Sequence, residues 1–295
     1  MNVSAMYLLT AIVLVSLNPV WIQLALWGGS SPLALIFWQA FCAMLLFGVY
    51  ALLKDKRLFF LSKKQILRLL LLGSLGFFLM ALCFTLSLER LNASYTVMLF
   101  FSYPFFVLAV NALIYRTKLT WLEGLSLFVL FCGVLVITWP QGRPGGLTGI
   151  ILALGAAMAH AFFILYSGRN LKQISSLQVA MFAQFGFFLA AVFLLPFLDA
   201  NTFFVPAGII YGSILAVLSS FFGFILFLKG ISGLGANRAA LISVTNLPLS
   251  LLFSFLILRD QPTGHLMIGF LIILLGLLLD ASSAIYRANR QPSRY

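Results

Sequence analysis

The chain has 295 residues, of which 63% are hydrophobic and only 8% are charged. Soluble domains average about 45–50% apolar and about 25% charged residues, so this composition excludes a soluble globule and leaves an integral membrane protein. The net charge of +12 would suggest nucleic acid in a soluble chain, but here the placement of the basic residues makes it a record of membrane topology.

Apolar runs of about 20 residues, at about 1.5 Å rise each, match a hydrocarbon core roughly 30 Å thick. The runs are continuous rather than alternating, which selects helices over barrel strands. In chain order the predicted spans are Ala5 to Leu26, Pro32 to Leu53, Ile66 to Leu88, Ala93 to Tyr115 and Leu119 to Trp139. The second half follows with Gly149 to Ser167, Leu177 to Phe197, Ala207 to Leu228, Ala236 to Leu258 and Gly264 to Ser283. The connections carry turn signals, among them Gly28-Gly29-Ser30-Ser31-Pro32 and Pro140-Gln141-Gly142-Arg143-Pro144-Gly145-Gly146. The second of these lies near the middle and separates a first unit, residues 1–140, from a second, 147–283, with a basic cytoplasmic tail at 284–295. The N-terminus has no basic stretch before its apolar run and no obvious cleavage site, so the first run is expected to be a retained span. Cys42, Cys83 and Cys132 fall inside spans and read as small buried hydrophobes, with neither disulfide nor metal spacing.

Lys and Arg collect in cytoplasmic loops. With ten spans and the N-terminus inside, Arg90, Arg143 and Arg259 are the only basic residues that fall on the other side. Removing one span would scramble that asymmetry. Because five is odd, the two five-helix halves must then lie in opposite orientations, with both termini cytoplasmic. Inverted repeats of this kind serve alternating-access carriers, which bind solute near the midplane between the halves.

The repeat is visible in the residues. Leu91-Asn92-Ala93-Ser94-Tyr95 opens a span that reaches Ser102-Tyr103-Pro104 and closes at Arg116. About 143 residues later, Leu234-Gly235-Ala236 opens another that passes Ser243, Thr245 and Asn246, reaches Pro248 and closes at Arg259. Each runs into a helix with small residues, Ser126 and Gly133 in one case, Gly269 and Gly276 in the other.

Two five-span units, each with a mid-span proline in its fourth helix followed by a glycine-bearing helix, resemble the drug/metabolite transporter superfamily in its EamA-type branch. The resemblance covers nearly the whole chain. It implies an all-α integral membrane fold of ten transmembrane helices as two inverted five-helix repeats around a central cavity. It also implies a bacterial inner-membrane location and movement of small polar metabolites, often amino acids or related compounds, outward. Many members carry Gly-Glu just after the proline-bearing helix; this chain has Tyr115-Arg116-Thr117 and Arg259-Asp260 there, so Asp260 alone resembles the expected acid. Gln39 stands where many members have an Arg early in the second helix.

Polar side chains inside spans turn toward partners or a water-filled cavity, because lipid satisfies none of their hydrogen bonds. Asn18 with Pro19 interrupts the first helix, either lining a cavity or forming a kink closed by Asn18 itself. Ser102, Tyr103 and Pro104 pair by repeat with Thr245, Asn246 and Pro248, and are expected to face one another across the pseudo-twofold axis or to bond between helices. His160 is the one titratable group of near-neutral reference pKa well inside a span, either a proton-coupling or substrate-binding residue or a neutral histidine bonded to a neighbouring helix. Gln23, Gln39, Gln184, Tyr95 and Ser219-Ser220 are further candidates to line a cavity. Lys229 and Arg238 read as interfacial charges or a cationic inner mouth, and His265 as interfacial.

No Asp or Glu is placed mid-span by this reading, so a carboxylate proton relay is not evident, and facilitated diffusion or exchange fits as well as proton antiport. There is no phosphate-binding loop, metal-ligand spacing or nucleophile with a partnered base. No cofactor is expected, and an intramembrane enzyme is disfavoured. The expected partners are a small-molecule substrate and the lipid bilayer, not nucleic acid, with a homodimer left open. A secondary metabolite carrier is the leading function, and a lipid or lipid-precursor translocator is the alternative.

Overall fold

A chain crossing a bilayer must satisfy every backbone donor and acceptor internally, so its apolar runs become helices. The computed structural model describes residues 3–54, 56–114, 116, 120–138, 146–170, 174–234, 242–261 and 263–290; the side chains at 56, 167–170, 176, 228, 231–234 and 284–290 are outside that description. Among these residues there are helices and turns and no strands. The protein is an all-α integral membrane protein.

Eight helices are long and apolar enough to span: α1 (Val3–Trp27), α2 (Pro32–Lys54), α3 (Lys63–Arg90), α4 (Ala93–Leu113), α5 (Trp121–Thr138), α6 (Gly146–Tyr166, its helix continuing to Asn170), α8 (Pro206–Phe227) and α10, which spans at Gly264–Ser283. Two shorter apolar helices stand at the places of the seventh and ninth expected spans, α7 (Ser176–Val192) and α9 (Asn246–Leu258). The shortening of α7 has a local cause: Pro196 sits in a 3-10 turn, Leu195–Phe197, that ends the run before Phe197. The expected start of the ninth span, the Arg143 loop and the last five residues of the C-terminal tail, 291–295, lie outside the described residues. The helix of α10 itself continues to Arg290, past the expected end at Ser283.

Many of the helix pairs map onto one another when the first five helices are exchanged with the second five. α3 packs along α6 as α8 packs along α1, α2 meets α8 as α7 meets α3, and α4 meets α6 as α9 meets α1. Three further close pairs, α2 with α7, α4 with α9 and α5 with α10, are their own images under that exchange. Equivalent helices also carry the same irregularity: a π-helical segment interrupts α3 at Gly73–Phe77 and α8 at Leu215–Gly223. Such segments insert an extra residue per turn and re-aim the side chains beyond them.

Small residues set the closest approaches, as expected where helices associate without a hydrophobic driving force between them. A Cβ at Gly73 would fall on the Ala183 carbonyl oxygen, and one at Gly186 on the Leu70 carbonyl oxygen, so α3 and α7 meet backbone to backbone. Along the antiparallel α5–α10 seam, a Cβ at Gly133 would lie 2.6 Å from Ile273 Cγ1 and one at Gly276 2.7 Å from Leu130 Cγ. The buried Ser126 hydroxyl closes that seam by donating to the Gly276 carbonyl at 2.9 Å.

Candidate functional site

Three prolines stand at breaks in three helices. In α1 the break is at Leu17, whose carbonyl accepts from both Val20 N and Trp21 N at 3.0 and 3.1 Å, one 3-10 turn replacing the bond that Pro19 cannot make. In α4 it falls at Phe101–Ser102, where Ser102 N bonds Leu99 O and Phe105 N bonds Ser102 O ahead of and across Pro104. α9 begins at Asn246, two residues before Pro248, after a turn in which Thr245 N reaches Ile242 O at 3.1 Å. Pro19, Pro104 and Pro248 therefore each mark a tightened turn.

The polar side of the site is built by α1, α2 and the π segment of α8. Asn18 Nδ2 donates to Ser219 Oγ at 2.9 Å, and Gln39 Nε2 donates to Ser220 Oγ at 3.3 Å. These two consecutive serines of the π segment bond to two different helices of the other half, α1 and α2. Asn18 Oδ1 and, three residues along the same face, Trp21 Nε1 are buried without a hydrogen-bond partner. The symmetry-related surroundings are aromatic instead: in the π segment of α3, Phe77 packs on Phe163 of α6 and Phe187 of α7, with ring centroids 6.0 and 5.2 Å apart.

His160 stands in α6 against the break in α4. Its ring meets Tyr103 edge-on at 4.8 Å, at an interplanar angle of 89°, and Phe100 at 5.3 Å. Its Nδ1 is buried and has no hydrogen-bond partner. The imidazole, held among rings, keeps one nitrogen without a protein partner. Gln184 of α7 is also buried, with Oε1 unpartnered. A buried polar atom without a partner costs about 1–3 kcal/mol; the fifth such atom among the described residues is Ser94 Oγ, in the first turn of α4.

The remaining candidates are placed differently. Ser102 is fully buried and its hydroxyl donates to Leu99 O at 2.6 Å, so it serves its own helix turn. Its repeat mate Thr245 also donates within its own turn, to Ile242 O, but is exposed. Asn246 Oδ1 accepts from Ser250 Oγ at 3.3 Å within α9. Gln23, with its amide oriented to satisfy both neighbours, donates to Leu88 O and accepts from Trp27 Nε1. Tyr95 lies away from the kinks, with its hydroxyl 2.9 Å from His265 Nε2. Lys229 sits over the Tyr7 ring at 5.6 Å, and Arg238 is outside the described residues. Sequence reading missed two features here. One is the partner role of His265, for which two histidines in such a chain offered a signal; the other is Trp21, which gave none.

The sequence profile of the EamA-like transporter family matches the chain twice, over residues 2–139 and 147–280. An uncharacterized inner membrane transporter, YicL of Salmonella typhimurium, is 28% identical over 236 residues, 77% of each chain. An uncharacterized transporter of Synechocystis is 26% identical over 66% of this chain and 59% of its own length. A solved crystal structure of a protein superposes with a TM-score of 0.65 at 16% identity, covering 98% of this chain and 99% of that one, which is a likeness of fold. With both halves matched by one family profile, the chain belongs to the EamA-like transporter family.

Proposed function

We propose that the chain is a secondary carrier that moves a small metabolite, an amino acid or related compound, out of the cell by alternating access between two inverted five-helix repeats. It acts without cofactor or covalent catalysis, in the inner membrane, with both termini cytoplasmic. The observation that carries this reading is the set of buried polar atoms without a partner on helices of both halves, Asn18 Oδ1, Trp21 Nε1, Ser94 Oγ, His160 Nδ1 and Gln184 Oε1. Kinked helices around a midplane site are the arrangement that carriers built from inverted repeats use.

In the cycle, solute completes the open hydrogen bonds of the α1–α8 face, and the halves rock about the α5–α10 and α2–α7 contacts. The aromatic face of Phe100, Tyr103 and His160 covers the apolar side of the solute. Uptake of labelled amino acids and other small metabolites into liposomes bearing the purified protein, with and without a pH gradient, tests this. Saturable uptake supports the carrier, and stimulation by the gradient makes His160 the coupling site; uptake of no soluble compound moves the function to a lipid or lipid-precursor translocator.

A further inference from the structure

The first turn of α4 is tied to the other half of the molecule. Asn92 caps the helix, its Oδ1 accepting from Tyr95 N at 3.1 Å. The next free backbone donor of that turn, Ser94 N, gives its hydrogen bond to Asp260 Oδ2 at 2.8 Å, across from the loop that follows α9. A carboxylate at a helix N-terminus is favoured by both the charge-assisted bond and the helix dipole. One residue on, Tyr95 OH meets His265 Nε2 at 2.9 Å, and His265 Nδ1 is fixed by Thr263 Oγ1 at 3.0 Å, so the histidine is bonded through both nitrogens. Every residue from Ala93 to Leu99 is buried behind these contacts.

The corresponding stretch of the other half, where the ninth span opens, lies outside the described residues. Ser102 and Thr245, repeat mates on α4 and in the turn before α9, differ: Ser102 is fully buried and Thr245 is exposed.

We propose that the Ser94–Asp260 and Tyr95–His265 contacts form a latch that holds one side of the transport path shut and must part for that side to open. This rests on the alternating-access reading. The latch residues are positioning residues: they set the relation of α4 to the α9–α10 loop and touch no solute.

The test uses two reporters in a chain whose Cys42, Cys83 and Cys132 are replaced by alanine: Val97→Cys behind the latch, where the native residue is 1% exposed, and Thr245→Cys in the turn before α9, where the native residue is exposed. Thiol labelling rates are compared with and without the pair Asp260→Ala and Tyr95→Phe. Loss of the latch raises labelling at position 97 about tenfold and lowers it at 245, a shift that a charge-assisted bond is large enough to produce. Unchanged rates, or rates that rise at both positions as in general loosening, overturn the proposal.

A second measurement avoids weakening the fold. Ser94→Cys and Asp260→Cys are joined by a reducible cross-link in the cysteine-free chain. Uptake stops when the link forms and returns on reduction; uptake indifferent to the link overturns the latch. Were the unlinked protein to take up no solute, the carrier reading would fail, while the opposed labelling shift would still decide the latch.

Discussion

Arg116 and Arg259, 143 residues apart, are the two non-glycine residues among those described that adopt left-handed backbone, with φ of 50° and 56°. Each follows the helix that carries its half's mid-span proline, and Arg259 is the C-cap of α9. The resemblance to EamA-type carriers implies glycine near these positions, and the backbone supplies the reason, since a left-handed residue ends a helix and glycine adopts it freely. Left-handed backbone costs an ordinary residue about 1–2 kcal/mol. Arg259→Gly is therefore expected to raise the melting temperature of the purified protein, and Arg259→Val to lower it. An unchanged melting temperature for both would mean that this turn is not closed as described.

The α3–α7 crossing gives a harsher expectation. A side chain at Gly73 or Gly186 meets backbone carbonyl, which cannot rotate away, whereas a Cβ at Gly124 meets nothing within 4 Å. Gly73→Val and Gly186→Val should abolish the monodisperse peak in size-exclusion chromatography, and Gly124→Ala should leave it intact.

Within the site, the effect of a substitution should follow the hydrogen bonds. Asn18→Leu loses the bond to Ser219 and the open Oδ1, and should lower the initial uptake rate about tenfold. Ser102→Ala removes a hydroxyl spent on its own helix turn, and uptake should stay within about twofold of the parent. Equal losses for the two would disperse the site along α4 instead of placing it at α1 and α8.

If His160 couples protons, His160→Gln leaves solute exchange intact and abolishes accumulation driven by a pH gradient. Unchanged accumulation removes it from the mechanism and leaves its ring as packing for Tyr103 and Phe100.

Much of this architecture is legible in the sequence because membrane insertion imposes coarse rules. Span length, basic-residue placement and the recurrence of proline after polar residues are each set by local chemistry, and the three kinks stand where Pro19, Pro104 and Pro248 predict. The seam residues Ser126, Gly133, Gly269 and Gly276 were legible for the same reason, since only small side chains permit that approach. Partnerships were not legible. Nothing local in Ser102 says that its hydroxyl returns to Leu99 while Asn18 reaches Ser219, 201 residues away. The π segments that aim Ser219 and Ser220 have no proline or charge to announce them, and His265 reads as interfacial until Tyr95 is found beside it. Glu123 reads as an end charge, yet it is buried at the start of α5, where it accepts from Thr120 N at 2.7 Å.

The inverted arrangement of the halves is the claim on which the rest depends, and the two arginines with matching backbone test it most directly. Arg116→Cys and Arg259→Cys, each introduced singly into the cysteine-free chain, are exposed to a membrane-impermeant thiol reagent in intact cells and in inside-out vesicles. The account predicts that position 259 labels from outside intact cells and position 116 only in inverted vesicles; labelling of both from the same face would contradict it.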